Sequence, residues 1–360
     1  MAQAMDLLVN RSALAQTKLS PAAATPLEEG EAILRVDLFS LTANNVTYGA
    51  FGDFLKYWNF YPASEEGWGR VPVWGFATVL ESRAPSVQAG ERVYGYLPMS
   101  TMFKLKPGER RAGGFSDTSA HRQGLAPVYN RYEFNTDDKL YAKDTEALQT
   151  LFRPLFTTSF LIDDFLADAS YFGAKQIAFS SASAKTAYAA AQLLKARGDV
   201  KVVGLTSAAN ISFVKALGFY DDVRGYDDIA AMDPSTSTTF VDIAGNASVR
   251  AAVHKRFGDN LKYSCAVGAT HWEAPRQGEV LPGAQPVMFF APDLVKKRMG
   301  DWGPAGFGQK LGAAWAAFLP TARRVTRVVE GSSLEDAGRM FTDLAEGRAD
   351  PVDGFVVRLG

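Results

Sequence analysis

Cysteine is nearly absent: Cys265 is the only one in 360 residues. One thiol excludes an intrachain disulfide and any zinc site built from several cysteines. Histidine is also scarce, and His121, His254 and His271 lie far apart, without ligand-pair spacing. No run of about 18 apolar residues is present, so no membrane-spanning helix is expected. Neither charge sign dominates. The formal net charge is -1, so neither nucleic acid nor an anionic membrane is an expected partner. Arg323, Arg324 and Arg327 read as a solvated face. Residues 1–15 carry Asp6 and Arg11 and lack the ordered regions of a signal peptide. A cytoplasmic protein acting on a small molecule is the expectation.

What is present is ordinary for a globular chain: 47% apolar and 21% charged residues. The length suits roughly two domains of about 150 residues each. In the first part, residues 31–40 (EAILRVDLFS) alternate apolar and polar as a half-buried strand does. Residues 71–80 and 91–96 do the same, punctuated by Gly90 and Pro98. This part reads as a β-rich, barrel-like domain. After Thr150 the pattern changes. Helical spacing over 151–169 is followed by a strand at 175–180 and an alanine-rich helix at 183–197, which Gly198 stops. Strands at 201–205, 222–226, 239–244 and 263–268 follow, with a helix at Ile211–Leu217 ended by Gly218. Such alternation predicts a parallel, doubly wound sheet. A helix over 334–346 and a strand over 354–359 close the chain. The expected domains are 1–150 plus 320–360, and 151–319.

Four segments carry a resemblance: 29–36 (EGEAILRV), 40–47 (SLTANNVT), 71–79 (VPVWGFATV) and 89–95 (AGERVYG). With the last helix and strand, their order resembles that of the zinc-independent medium-chain dehydrogenase/reductases, the quinone oxidoreductase-like superfamily. More narrowly, the chain resembles a domain-of-unknown-function branch of it. The resemblance spans most of residues 28–360. It implies an α/β fold with a GroES-like β-rich domain plus a Rossmann-type domain, and a homodimer joined at sheet edges. Where metal-dependent relatives place zinc ligands, this chain has Asn44 and Gly75-Phe76-Ala77, so no metal is expected.

The nucleotide loop departs from that pattern. Relatives carry glycines that let the backbone approach a pyrophosphate at a helix N-terminus. Here the stretch is Ser180-Ser181-Ala182-Ser183-Ala184-Lys185-Thr186-Ala187, with no glycine. Ala184 and Ala187 are small enough for close packing. The hydroxyls of Ser181, Ser183 and Thr186, with the charge of Lys185, suggest a modified phosphate cradle. The competing reading makes Ser183 only a helix cap and Lys185 a solvated residue. At the end of the next strand an acid would favour NAD. Leu205-Thr206-Ser207-Ala208-Ala209-Asn210 has none. Thr206, Ser207 and Asn210 would accept a 2′-phosphate better, so NADP is preferred. Val267 and Gly268, after the fifth strand, fall where relatives place backbone beside the nicotinamide.

Without zinc, a carbonyl or enone oxygen needs another electrophile, such as a tyrosine hydroxyl. Residues 48–68 are dense in aromatics: Tyr48, Phe51, Phe54, Tyr57, Trp58, Phe60, Tyr61 and Trp68. They read as a wall for an aromatic or bulky apolar substrate, with Tyr48 or Tyr57 as proton donor, or else as an apolar core patch. Trp58 and Tyr61 would then contact substrate. Asn44 and Thr47 would orient substrate or the nicotinamide ribose, or simply hold a turn. Tyr129 and Arg131 would close over the substrate. Lys56 reads as a surface lysine, His121 as a candidate proton shuttle and Cys265 as inert core. The expected function is an NADP-dependent oxidoreductase transferring hydride to an enone, quinone or carbonyl. The alternatives are a non-redox lyase or isomerase of phenolic substrates, and a non-catalytic nucleotide sensor.

Overall fold

The computed structural model describes residues 3–22, 26–111, 113–267 and 281–360. The chain divides into two compact units, Met1–Pro154 with Ala322–Gly360, and Leu155–Thr321.

The first unit is built on an antiparallel sheet. Its order is Arg327–Gly331, Asp353–Arg358, Ala32–Leu41, Pro72–Ser82, Arg92–Pro98, Arg131–Phe134 and Gly114–Ser116, with Met102–Leu105 paired to Ala32–Leu41. Only the pair formed by Arg327–Gly331 and Asp353–Arg358 is parallel. A smaller sheet joins Thr17–Pro21, Met5–Asn10 and Trp68–Gly69. The register of two central strands sorts their aromatics onto one face. Between Pro72–Ser82 and Arg92–Pro98, Trp74 faces Tyr96, Gly75 faces Gly95 and Phe76 faces Tyr94. Opposed residues share a face and neighbours alternate, so four aromatic rings stand together on one side. The other side carries the two glycines. A Cβ at Gly75 would collide with the Leu38 carbonyl, and one at Gly95 would meet the Tyr132 ring at 2.5 Å. Close approach of the neighbouring strands Ala32–Leu41 and Arg131–Phe134 therefore needs glycine at both positions.

The second unit holds a six-stranded, all-parallel sheet. Its order is Asp222–Gly225, Lys201–Thr206, Gln176–Phe179, Thr238–Asp242, Leu261–Ala266 and Pro286–Met288. In chain order this is third, second, first, fourth, fifth, sixth. The direction of winding reverses between Gln176–Phe179 and Thr238–Asp242, and in such sheets ligands bind beyond the strand ends at that reversal. The central strands are buried on both faces. Gly198 and Gly218, both with positive φ, end the helices Lys185–Arg197 and Ile211–Leu217. His254 is fully buried between the Pro282 carbonyl and the Ser264 hydroxyl, at 2.9 Å each. Cys265 is buried as well, and burial raises its thiol pKa, as expected of inert core.

The α/β class expected from the sequence is therefore present, as an antiparallel β-rich unit and a parallel nucleotide-type sheet. Several elements were not foreseen, two of them large. The hairpin of Met5–Asn10 and Thr17–Pro21 is one. The other is the helical stretch Ala291–Val325, broken at Gly303, where φ is 70° and ψ 161°. Pro304 follows that break directly, in the first turn of the second half, where a missing N–H removes no helical bond. No described helix is long and apolar enough to cross a membrane.

Candidate active site

In the parallel unit the first strand, Gln176–Phe179, delivers Ser180 to the reversal point. The Ser180 hydroxyl donates to Asp242 Oδ1 at 2.7 Å and accepts the Ala244 N–H at 3.0 Å. Asp242 ends the fourth strand and is 1% exposed. Its Oδ1 also accepts the Gly245 N–H at 3.0 Å, and its Oδ2 accepts Arg250 Nε at 2.9 Å. One buried carboxylate thus ties together the loops after strands one and four. Ser181 has a φ of 48°, a left-handed conformation that glycine adopts freely and serine adopts at a cost. Its N–H donates to the Tyr226 hydroxyl at 3.0 Å. The Ala182 N–H donates to the Leu205 carbonyl at 3.0 Å, and its own carbonyl accepts the Tyr220 hydroxyl at 2.9 Å. Polar side chains hold a turn that glycines form in the resembling family.

The helix after this turn begins at Lys185, not at 183, with Ala184 at its cap and no capping side chain. Ser183 is therefore not the cap. Its hydroxyl accepts Asn210 Nδ2 at 3.2 Å, joining this loop to the turn after the second strand. Lys185 and Thr186 are half-buried in the first helical turn, whose N–H groups form an anion-favouring end. Of the residues expected at a 2′-phosphate, Thr206 is buried, Ser207 exposed and Asn210 half-buried. Arg224 pairs opposite Leu205 on the neighbouring strand, so a cation does stand near this turn; it bonds Asp222 at 3.0 Å. The Val267 N–H donates to the Asp242 carbonyl at 3.0 Å. Gly268 lies outside the described residues. Hydroxyls, a lysine and an uncapped helix end, with Asp242 buried and fully engaged, fit an anionic dinucleotide.

In the antiparallel unit, Tyr48 lies on the helix Ala43–Ala50. Asn45 fixes that helix. Its Oδ1 accepts the Thr42 N–H at 2.8 Å and its Nδ2 donates to the Pro72 carbonyl at 3.0 Å. Thr47 donates back to the Ala43 carbonyl at 3.3 Å. The Tyr48 ring packs on Tyr57 at 4.6 Å and on Tyr96 at 5.4 Å between centroids. Trp74 Nε1 donates to the Tyr48 hydroxyl at 3.3 Å, and the hydroxyls of Tyr57 and Tyr129 meet at 3.3 Å. Burial, then the neighbouring Tyr57 phenol, pushes the Tyr48 hydroxyl well above the ordinary tyrosine pKa, against the opposing effect of Trp74 and Asn44. Burial raises Tyr57 too. All these phenols are neutral donors near pH 7. Among the described residues the hydroxyls of Tyr94 and Tyr96 are buried without a well-formed hydrogen bond. Such groups cost about 1–3 kcal/mol each.

The structure thus assembles Tyr48, Tyr57 and Tyr129, with Asn44 and Thr47 on the Tyr48 helix. Trp58 and Tyr61 sit deeper. Trp58 is 2% exposed and packs over Gly52 and Gly69. The hydroxyls of Tyr61 and Tyr132 meet at 2.8 Å beside the Tyr96 carbonyl. Arg131 Nη2 donates to the Arg111 carbonyl at 2.7 Å. Trp74, Tyr94 and Tyr96 were not singled out from sequence; their signal was the aromatic alternation W-x-F opposite Y-x-Y. Asp242, Arg250 and Tyr226 carried no such signal. Among the described residues no group of three or more His, Cys, Asp or Glu side chains is placed to hold a metal.

Residues 39–350 match the family described as "Protein of unknown function (DUF2855)", and the chain belongs to that family. No curated protein matches it in sequence. Among solved structures it is similar to CurA from Vibrio vulnificus in complex with NADPH, at 15% identity and a TM-score of 0.61, covering 99% of both chains. The yhdH oxidoreductase from Salmonella enterica in complex with NADP is similar at 15% identity and a TM-score of 0.57, over 99% of this chain and 100% of that one. The quinone oxidoreductase from Coxiella burnetii matches at 13% identity and a TM-score of 0.56, with the same coverage. The two-unit fold is that of the medium-chain dehydrogenase/reductases, as the sequence motifs implied.

Removing the Asp242 carboxylate should strip the buried Arg250 guanidinium of the carboxylate that it bonds at 2.9 Å. Asp242→Ala is expected to lose about 3–5 kcal/mol of stability, read from urea unfolding. A loss below about 1 kcal/mol, the typical worth of a surface pair, would show that this ion pair is not the tie described.

Proposed function

We propose that this protein is a zinc-independent, NADPH-dependent oxidoreductase that reduces a carbonyl, enone or quinone carried on an aromatic or bulky apolar molecule. The observation that carries the reading is the hydroxyl-lined, lysine-bearing loop at the winding reversal, followed by a second strand whose end has no acid. The likeness to structures holding NADPH and NADP supports it.

In this reading Ser181, Ser183, Lys185 and Thr186 hold the pyrophosphate, and Thr206, Ser207 and Asn210 receive the 2′-phosphate. Val267 lies on the nicotinamide side. The bound reduced cofactor supplies a hydride. The substrate must also gain a proton, and Tyr48 is the group to give it, with Tyr57 second. Its raised pKa keeps the phenol protonated at neutral pH, and Trp74 orients its oxygen. Asn44 and Thr47 position the substrate, Tyr57 and Trp74 form its aromatic wall, and Tyr129 closes over it. Trp58 and Tyr61 support that wall from behind, and Arg131 is held by the Arg111 carbonyl. A second reading, a non-redox lyase or isomerase of phenolic compounds, is favoured by one observation: the Ser181 N–H is already engaged by Tyr226.

We further propose a homodimer formed along the edge strand Pro286–Met288. That strand has a neighbour on one side only, and Val287 and Met288 are each 47% exposed among the described residues. Sedimentation equilibrium should give a dimer that Val287→Lys weakens; a monomeric wild type would refute this.

Turnover is tested by loss of reduced-nicotinamide absorbance against a panel of aryl enones, ketones and quinones. Tyr48→Phe should lower kcat by about 10²–10⁴-fold, the usual share of a general acid, with NADPH affinity unchanged. Lys185→Ala should weaken NADPH binding about tenfold, one charge-assisted contact of about 1.4 kcal/mol. Unchanged kcat in the first variant or unchanged affinity in the second would contradict the assigned role.

A further inference from the structure

Tyr129 is set apart from the other aromatics by where it comes from. It lies on the short turn Pro127–Asn130, which has no buried residue. Yet its ring is enclosed by five others. The centroid distances are 4.7 Å to Tyr96, 5.5 Å to Phe60, 5.7 Å to Tyr57, 6.0 Å to Trp74 and 6.3 Å to Tyr48. The five hosts belong to the helix Ala43–Ala50, the turn Tyr57–Phe60 and the two paired strands that carry Trp74 and Tyr96. They form a cup, four of them almost fully buried, and Tyr129 is what fills it. The turn is held at one end, where Arg122 Nη1 donates to the Asn130 side chain at 3.2 Å and to the Tyr129 carbonyl at 3.4 Å. Toward the other end lie exposed Val128 and Gly124, the latter with a φ of 75°.

The filling is incomplete in its polar contacts. Tyr129 and Tyr57 share a long hydrogen bond of 3.3 Å, and the Tyr96 hydroxyl, fully buried in the same cup beside Tyr48, makes no well-formed hydrogen bond among the described residues. A ligand oxygen would satisfy it. The charge at this place is already balanced. Arg122, over Phe60 and Tyr61, pairs with buried Asp117 at 3.4 Å. An anionic ligand would therefore be desolvated without a free counter-charge.

We propose that this cup is a binding site for a neutral, single-ring aryl compound bearing an oxygen acceptor, and that Tyr129 is a resident plug that the ligand displaces. The inference rests on the aromatic cluster being the substrate side of the proposed reductase, and it supplies the size and charge class of the ring. Tyr96 is the residue that recognises the oxygen, and Trp74 is the plate against which the ring lies.

The probe is p-cresol, the free equivalent of a tyrosine side chain, with benzoate as its anionic counterpart. Binding is measured without NADPH, from the tryptophan fluorescence difference between wild type and Trp74→Phe. It therefore stands or falls independently of reductase activity. Wild type should bind p-cresol saturably at millimolar levels, with loss of amide-exchange protection confined to residues 120–131. Tyr129→Ala should bind it about tenfold more tightly, because a plug seated roughly nine-tenths of the time reduces apparent affinity by that factor. Tyr96→Phe should weaken it, and benzoate should bind at least about tenfold more weakly than p-cresol. No saturable binding by wild type would overturn the proposal, as would binding that leaves 120–131 protected. The wild-type exchange measurement decides the matter even if Tyr129→Ala fails to fold.

Discussion

The parallel unit turns on one carboxylate. Asp242 stands where the winding of the sheet reverses, and it accepts from a serine hydroxyl, a backbone N–H and a guanidinium. A buried charge is tolerated only when paired and hydrogen-bonded, and this one is both. Because its partners come from the turn after strand one, the turn after strand four and the following helix, the site floor is set by a polar network. Glycine would fix such a turn through backbone freedom instead. Here Ser181 holds the left-handed position under strain, and Tyr226 and Tyr220 hold the turn from the side. The loss of glycine is thus a change in how the turn is fixed, and the helix end behind it stays uncapped.

The antiparallel unit obeys a different constraint, close approach of backbone to ring. Gly75 and Gly95 face each other so that the sheet can lie against Phe39 and Tyr132. The same register puts Trp74, Phe76, Tyr94 and Tyr96 together on the opposite face. Phenols raised in pKa by burial stay protonated and are secure hydrogen-bond donors at neutral pH. Donors left unmatched in an apolar surrounding favour a neutral, acceptor-bearing ligand.

Much of the fold was legible from periodicity alone. The change from period two to helical spacing near Thr150, and short apolar strands alternating with helices, led directly to the parallel sheet. Ile211–Leu217 was placed to the residue because a glycine follows it. Ala291–Val325 was missed because its glycines and Pro304 imitate a loop, although Gly303 and Pro304 only separate two helical halves. At the site, Tyr48, Tyr57 and Tyr129 stood out by aromatic density. Trp58 stood out for the same reason, yet it packs as core, since composition does not tell which face of a turn is buried. Trp74 and Tyr96 were hidden because alternating aromatics in strands read as core. The Asp242 network was invisible, since its members meet only when the sheet reverses its winding.

The most direct test of the account is titration of the purified protein with NADPH and with NADH, followed by fluorescence and by thermal shift. Binding of NADPH at least about tenfold tighter than NADH, the worth of one 2′-phosphate contact at about 1.4 kcal/mol, is the predicted result. Equal binding of the two would contradict the assignment of Thr206, Ser207 and Asn210. Binding of neither at millimolar levels would contradict the reductase reading itself.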